Sequence, residues 1–240
     1  VATLKLGTAT ATGDTEGEPV DTQPIPELNS AKIESAMQAF RGPLQQVPPM
    51  YSAIKQDGRP LYELARQGIV VERQARSVEI HTLELLGWNS PLLEFRVTCS
   101  KGTYVRTLAE DLAQALGSCG HLQALRRTAA EPFFEPVMFT LEELESALEQ
   151  NRAEAMLLPA DAGLPDWPKV ELEWGHISRF MNGNSLDHAG EAGRVRVYGL
   201  MDDGQRHILG LGEIRASGQL HPLRVFMPGV KAKPELPHFS

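Results

Sequence analysis

The chain is poor in the residues that mark several common chemistries. It has two cysteines, Cys99 and Cys119, in no C-x-x-C pair and no ligand cluster. A reducing, cytoplasmic setting with both as free thiols is therefore expected. No apolar run reaches the roughly 18 residues that suggest a membrane-spanning helix. The start shows no basic segment followed by an apolar one, so no signal peptide is read. His121, His176, His188, His207 and His221 are scattered, and a lone histidine is most often structural, so no metal site is expected. No Ser-His-Asp order has supporting motifs. Gly210-Leu211-Gly212 lies inside a strand pattern and matches no nucleotide-binding fingerprint. Internal repeats and low-complexity tracts are also missing.

What remains is an ordinary globular composition, 42% hydrophobic and 22% charged over 240 residues, enough for one large domain or two smaller ones. The net charge of −8 argues against a uniformly basic nucleic-acid binder. The charge is uneven, however. Residues 41–130 carry 11 basic and 8 acidic groups, whereas 131–240 carry 10 basic and 17 acidic. The middle third is the part suited to a polyanion, because phosphate contacts come from local Lys and Arg.

Residues 1–6 read as a strand, and Gly13-Asp14 with Gly17 as turn chemistry. Asn29 or Ser30 caps a helix over 31–40 with Ile33, Met37 and Phe40 on one face. Pro48-Pro49 opens a polar, basic excursion over 48–76 with a short helix at 60–67. Residues 77–88 and 92–99 alternate as a strand pair. A helix follows at 103–116, ended by Gly117, then a short helix at 120–127. Thr140 and Glu143 form a capping box for a helix over 141–150. Residues 159–168 read as a linker. Beyond it lie a helix at 174–182 and strands at 194–200, 207–215 and 222–227, split by the Asp202-Asp203-Gly204 turn. A loose tail starts at Pro228.

Two stretches carry chemistry. Cys99-Ser-Lys-Gly-Thr-Tyr-Val-Arg-Thr-Leu108 runs from a strand into a helix, so Tyr104 and Arg106 stand at a corner. There a phenol can stack on a flat ring and a guanidinium can anchor an anion; an ordinary helix start with an exposed Tyr and Arg fits the same residues. In the excursion, Lys55, Arg59 and Arg66 interleave with Tyr51 and Tyr62. This suits RNA, whose bases stack on rings for about 1–3 kcal/mol each, and equally a surface hairpin with half-buried tyrosines. Lys101, Arg126 and Arg127 are further cationic candidates, although adjacent Arg126 and Arg127 point apart and one fits an internal salt bridge as well.

Three blocks together resemble the TruB family, the bacterial tRNA pseudouridine-55 synthases. They are Val47-Pro-Pro-Met-Tyr-Ser-Ala-Ile-Lys55 with Leu61-Tyr-Glu-Leu-Ala-Arg-Gln-Gly68; Cys99 to Thr107; and Gly120-His121-Leu122 with Leu125-Arg126-Arg127. Leu6-Gly7, Thr12-Gly13-Asp14 and Gly17 also fit. The resemblance is strong over 1–160 and recognisable over 168–228.

It implies an α+β pseudouridine synthase fold, with a mainly antiparallel sheet and flanking helices over 1–160, and a small β-rich, PUA-like RNA-binding domain over 168–228. It implies isomerisation of a T-loop uridine of tRNA without cofactor or metal, in a monomer that binds the T arm and no membrane. Tyr104 would lie against the flipped uracil and help remove its C5 proton. Phenols ordinarily titrate near pH ~10, so such a base needs help. Arg106 would pair with the catalytic aspartate. Leu125 would line the apolar wall. The 48–76 excursion would be a thumb loop, with Tyr51, Lys55, Arg59, Tyr62 and Arg66 facing RNA beside Lys101, Arg126 and Arg127.

One departure is large. The family's nucleophile lies in a Gly-x-Leu-Asp-Pro-x-Ala-Thr-Gly block, and no such block occurs in these 240 residues. Asp14 in a turn, Asp57 in the excursion, Asp111 in a helix and Asp161 in the linker lack its context. The chain, which starts at Val1 within a strand pattern, is expected to be the C-terminal portion of a synthase and inactive alone. The missing part should supply strands that pair with residues 1–6 and 92–99. The alternative is a non-catalytic tRNA-binding or tRNA-folding module.

Overall fold

The computed structural model describes residues 1–56, 58–134, 138–201 and 203–226. Asp57, Asp202 and the tail from Pro228 fall outside the described residues. The chain divides into two compact units, Val1–Thr128 and Ala129–Ser240.

In the first unit the elements run β1 (Ala2–Leu6), β2 (Thr8–Thr10), β3 (Pro19–Thr22), α1 (Ser30–Gln38), β4 (Gly42–Gln46), β5 (Lys55–Gln56), β6 (Arg59–Pro60), α2 (Leu61–Arg66), β7 (Arg76–Asn89), β8 (Leu92–Cys99), α3 (Val105–Ala115) and β9 (Gly120–Leu125). Five strands form a sheet in the order β4-β7-β8-β1-β9, antiparallel at every pairing. In β1 the alternation buries Ala2, Leu4 and Leu6, as a half-buried strand requires. Against it pack Ile33 and Met37 of α1 and Leu108, Ala109, Leu112 and Ala113 of α3. Asn29 provides the α1 cap: its side chain accepts the Lys32 N–H at 2.9 Å.

Two expectations are corrected. Residues 120–125 are strand β9, paired with β1 from Ala2↔Leu125 to Leu6↔Gly120, and no helix spans 120–127. Six residues are too few to specify a helix locally, and β1 offers a ladder that satisfies their backbone. Gly120 shows how close the approach is, since a Cβ there would sit 2.7 Å from Leu4 Cδ1 and 2.8 Å from the Lys5 carbonyl oxygen. The second correction concerns strands from elsewhere. β1 lies between β8 and β9, and β8 between β7 and β1, so neither leaves an edge for another strand to pair.

The second unit starts with α4 (Leu141–Glu149) and a 3-10 turn, Ala153–Met156. The Thr140–Glu143 capping box is formed in both directions. Then come β10 (Lys169–Leu172), α5 (Trp174–Met181), β11 (Leu186–Asp187), β12 (Gly193–Leu200), β13 (Arg206–Ile214) and β14 (Gln219–Val225). The sheet order is β10-β12-β13-β14-β11; β10 runs parallel to β12 and the other pairs are antiparallel. Phe180 and Ile177 of α5 pack on Val170, Val197 and Leu209. The segment read as a linker is held down. Its Asp161 is 6% exposed and accepts hydrogen bonds from Arg196 Nη1 at 2.8 Å and from the Tyr198 hydroxyl. The molecule is thus α+β with mainly antiparallel sheets.

Candidate active site

The corner between β8 and α3 is built from both sides. Gly102, with φ +86, takes the left-handed conformation that lets the chain turn out of β8. Tyr104 is the residue that caps α3, extended at φ −96 and ψ 106, without a side-chain cap. Its backbone is held instead by Gln46 at the end of β4: the Tyr104 N–H donates to Gln46 Oε1 at 2.8 Å, and Gln46 Nε2 donates to the Tyr104 carbonyl at 3.0 Å. The ring is half-buried.

Arg106 follows in the first turn of α3. Its Nη1 donates to Asp14 Oδ2 at 3.0 Å and to the Thr12 carbonyl at 3.1 Å. Its Nη2 donates to the Tyr51 carbonyl at 2.6 Å. Nε and one Nη2 hydrogen have no acceptor among the described residues. The pair is partly open, with Arg106 22% and Asp14 28% exposed. Asp14 is placed by its own turn, where Oδ1 accepts from the Thr12 hydroxyl at 2.6 Å and the Glu16 N–H at 3.2 Å. Sequence reasoning set Asp14 aside as a turn residue. The two side chains are 92 positions apart, and no local spacing links them.

Glu110, one helical turn beyond Arg106, lies against Gly13. Burial pushes its carboxyl above the usual glutamate range; Asp111 and Asp14 add to the rise, and Arg106 opposes it. Burial raises the Asp111 carboxyl as well. The anionic side of this corner is therefore crowded, and a cation in its midst is what permits a further carboxylate to stay charged.

The excursion is rooted at the same place. Besides Tyr51, its base is tied by Arg73 Nη1 donating to the Pro48 carbonyl at 2.9 Å. Its N–H groups at Leu61 and Tyr62 donate to the Ile54 and Ser52 carbonyls. Lys55 and Arg59 occupy a two-strand hairpin, β5 with β6, both exposed. Arg66 stacks over Tyr62 at 5.5 Å from the ring centre. Lys101 is exposed in the turn ahead of α3. Leu125 ends β9 and is 55% exposed. Arg126 and Arg127 follow it, both exposed; they leave a strand, where the sequence suggested a helix end.

The structure thus gathers Tyr104, Arg106 and the Tyr51 backbone around Asp14 and Gln46, the two residues that sequence reasoning missed. Two cavities lie in the second unit, one beside α4 and one beside Asp161, and neither contains Tyr104 or Arg106. Beside Asp161, Arg196 pairs with Asp161 and Arg206 with Glu171 at 3.3 Å, His207 Nε2 lies 2.7 Å from Asp203 Oδ2, and Lys169 sits over the Tyr198 ring at 5.3 Å from its centre. Among the described residues no group of three or more His, Cys, Asp or Glu could hold a metal ion. Likewise, no helix is long and apolar enough to cross a membrane.

The same fold occurs in solved structures. It matches a chain in the crystal structure of a Cbf5-Nop10-Gar1 complex, with TM-score 0.58, 21% identity, and coverage of 94% of this chain and 66% of that one. It also matches a chain of an H/ACA RNP bound to a substrate RNA containing 2′-deoxyuridine, with TM-score 0.58, 19% identity, and 94% and 65% coverage. The chain therefore spans about two thirds of the length of those solved chains, and at such identities the likeness shows the fold alone.

Sequence comparison is more specific. The TruB family pseudouridylate synthase N-terminal domain matches residues 1–105, the tRNA pseudouridylate synthase B C-terminal domain matches 106–165, and the pseudouridine synthase II TruB C-terminal domain matches 168–226. A tRNA pseudouridine synthase B of Aromatoleum aromaticum is 47% identical over 225 residues, 93% of this chain and 71% of the relative. One of Chromobacterium violaceum is 43% identical over 224 residues, 93% and 72%. The chain belongs to the TruB family of pseudouridine synthases, which are isomerases.

Proposed function

We propose that this protein isomerises one uridine in the T loop of tRNA, position 55, to pseudouridine. The base is flipped out of the loop because its reacting edge and C1′ are shielded in the stack. The N1–C1′ bond breaks, the uracil turns, and a C5–C1′ bond forms; C5 loses its proton and N1 ends protonated. Nothing is oxidised or reduced, so the step calls for no oxidant or reductant. Tyr104 lies against the base and assists removal of the C5 proton, Leu125 borders the uracil, and Arg106 orients the catalytic carboxylate. That aspartate belongs to the family's Gly-x-Leu-Asp-Pro-x-Ala-Thr-Gly block, which these 240 residues do not contain.

The observation that carries this reading is the state of Arg106. Its guanidinium is fixed by three acceptors and keeps Nε and one Nη2 hydrogen unused, a pair of donors suited to a second carboxylate. In the same reading Tyr51, Lys55, Arg59, Tyr62, Arg66, Lys101, Arg126 and Arg127 contact the T arm. Residues 1–160 serve as the catalytic portion and 168–228 as a PUA-like RNA-binding domain, in a cytoplasmic monomer.

The test is tritium release from T-arm RNA labelled at uracil C5, using the chain with the family's aspartate block joined ahead of Val1. Release that stops when uridine 55 is replaced by cytidine supports the reading. RNA bound without release, the block being present, overturns it. A second reading, to which the exposed Lys55, Arg59, Arg126 and Arg127 lend equal support, is a non-catalytic tRNA-binding module; it predicts salt-sensitive RNA binding with no release in either form.

A further inference from the structure

Gln46 is a polar side chain only 5% exposed, on an element that contributes nothing else to the corner. A buried amide is tolerated when its groups are hydrogen-bonded. Both of these are, and both partners belong to one residue: Oε1 accepts the Tyr104 N–H at 2.8 Å and Nε2 donates to the Tyr104 carbonyl at 3.0 Å. Only one amide orientation satisfies both, because the backbone N–H must meet an oxygen and the carbonyl an N–H. Gln46 thus pairs with Tyr104 as a strand neighbour would, through a side chain. Tyr104 needs such a partner. It stands after the end of β8, where the ladder has stopped, and before α3, whose first bond takes only its carbonyl, from the Leu108 N–H at 3.1 Å.

We propose that Gln46 is a positioning residue for Tyr104: its amide fixes the backbone from which the phenol is displayed and so sets where the ring meets the uracil. Gln46 also ends the strand that leads into the RNA-binding excursion, and its own backbone is anchored in the sheet opposite Arg76. The orientation of Tyr104 is therefore referred to the sheet rather than to the loop that carries it. Misplacement of a catalytic group by about 1 Å can cost on the order of 100-fold in rate. The rate consequence rests on the function proposed above; the positional one does not.

Two variants and two readouts test it. Gln46→Met keeps the length and removes both polar contacts. Gln46→Glu keeps an acceptor for the N–H but turns a carboxylate toward the Tyr104 carbonyl. 3-Fluorotyrosine at position 104 reports the ring's surroundings by fluorine NMR, in the 240-residue chain and without activity. A narrow single resonance in the parent that shifts and broadens in Gln46→Met, with the Phe95 and Leu108 methyl and ring signals unchanged, supports the clamp. Superimposable fluorine spectra overturn it.

In the form bearing the aspartate block, Gln46→Met is expected to lower kcat about 10- to 100-fold, with T-arm affinity within about twofold of the parent. For Gln46→Glu the ratio of variant to parent kcat should rise as pH falls. Burial against a carbonyl raises that carboxyl's pKa, and its protonated form donates where the amide did. A rate loss that is independent of pH in Gln46→Glu and follows the unfolded fraction in both variants overturns the positioning role. If the parent makes no pseudouridine at all, the functional reading has failed, and the fluorine spectra still decide the clamp.

Discussion

Among the described residues each unit contains one close arginine–aspartate pair, and the two are built in different ways. Arg196 and Asp161 in the second unit are 12% and 8% exposed. Arg196 Nε donates to the Trp167 carbonyl, Nη1 to Asp161 and Nη2 to the Pro165 carbonyl, and Asp161 takes the Tyr198 hydroxyl as well. Every nitrogen of that guanidinium is engaged with protein. Arg106 and Asp14 in the first unit are more exposed, and the Arg106 Nε has no acceptor among the described residues, although its guanidinium, like that of Arg196, makes three hydrogen bonds. A sealed pair of this kind fastens a segment to its sheet. An open one, surrounded by carboxylates, is suited to receive another acid. The same two residue types thus form a closed pair in one place and an open pair in the other, and exposure together with the unused Arg106 Nε is what separates the two cases.

The sharpest way to break the comparison is to truncate both arginine sites. Arg106→Ala, in the form bearing the aspartate block, should cut turnover about 1,000-fold, ~4 kcal/mol in the barrier, with T-arm affinity changed only a few-fold. Affinity falling in parallel with rate would count against the assigned role. Asp161→Ala should act on stability. It leaves Arg196 buried without its counter-charge, a situation that costs ~3–5 kcal/mol. The expected result is faster amide hydrogen exchange across β12 and β13, while exchange in β1 and β8 is unchanged. An exchange pattern identical to the parent's would show that the second pair is not the fastening it looks like.

How much of this was legible beforehand follows from what kind of information each feature uses. β7, β8, α3 and α5 announce themselves through periodicity, and the end of α3 through Gly117, because their boundaries are set by nearby residues. β9 does not: Gly120–Leu125 is short, and only the β1 edge beside it makes it a strand. Tyr104 and Arg106 were singled out because their spacing at a strand-to-helix corner is local. Asp14 and Gln46 were not, since each meets its partner across 92 and 58 positions respectively. A polar residue ending a short strand also gives no sign that it is buried. Asp161 was misplaced for a related reason: a proline-rich stretch reads as a linker unless one knows that an arginine and a tyrosine on β12 await its carboxylate.

The two sites should also answer oppositely to pH. For Asp161, burial raises the carboxyl, but the hydrogen bonds from Tyr198 and Arg196 outweigh it and hold it below the usual 3.8. The stability this contributes is present above that value and is lost as pH falls through the lower folded one. Glu110 beside Arg106 is raised above the usual 4.5. The folded state then holds its proton more tightly than the unfolded chain, and stability falls as pH rises from 4.5 through the raised value. Glu110→Gln should therefore raise the thermal midpoint at pH 7 and leave it unchanged below about pH 4. A gain of the same size at both pH values would assign the effect to packing.

The smallest effects are expected in the exposed hairpin of the excursion, and they sharpen the comparison from the other side. Lys55 is not in contact with any carboxylate among the described residues, and Arg59 donates only to Gln67 at 3.2 Å. Neither is fixed as Arg106 is, so neither can orient an attacking group. What they supply to a polyanion is charge and the release of counterions. Lys55→Ala and Arg59→Ala should each weaken T-arm binding a few-fold at low salt, with kcat at saturating RNA unchanged. Each should also reduce the slope of log affinity against log salt by about 0.7–0.9, the share of one phosphate contact. Removing both should roughly double that reduction. A change in kcat with no change in salt slope would place these residues with the chemistry, and the excursion would then be more than an electrostatic grip on the RNA.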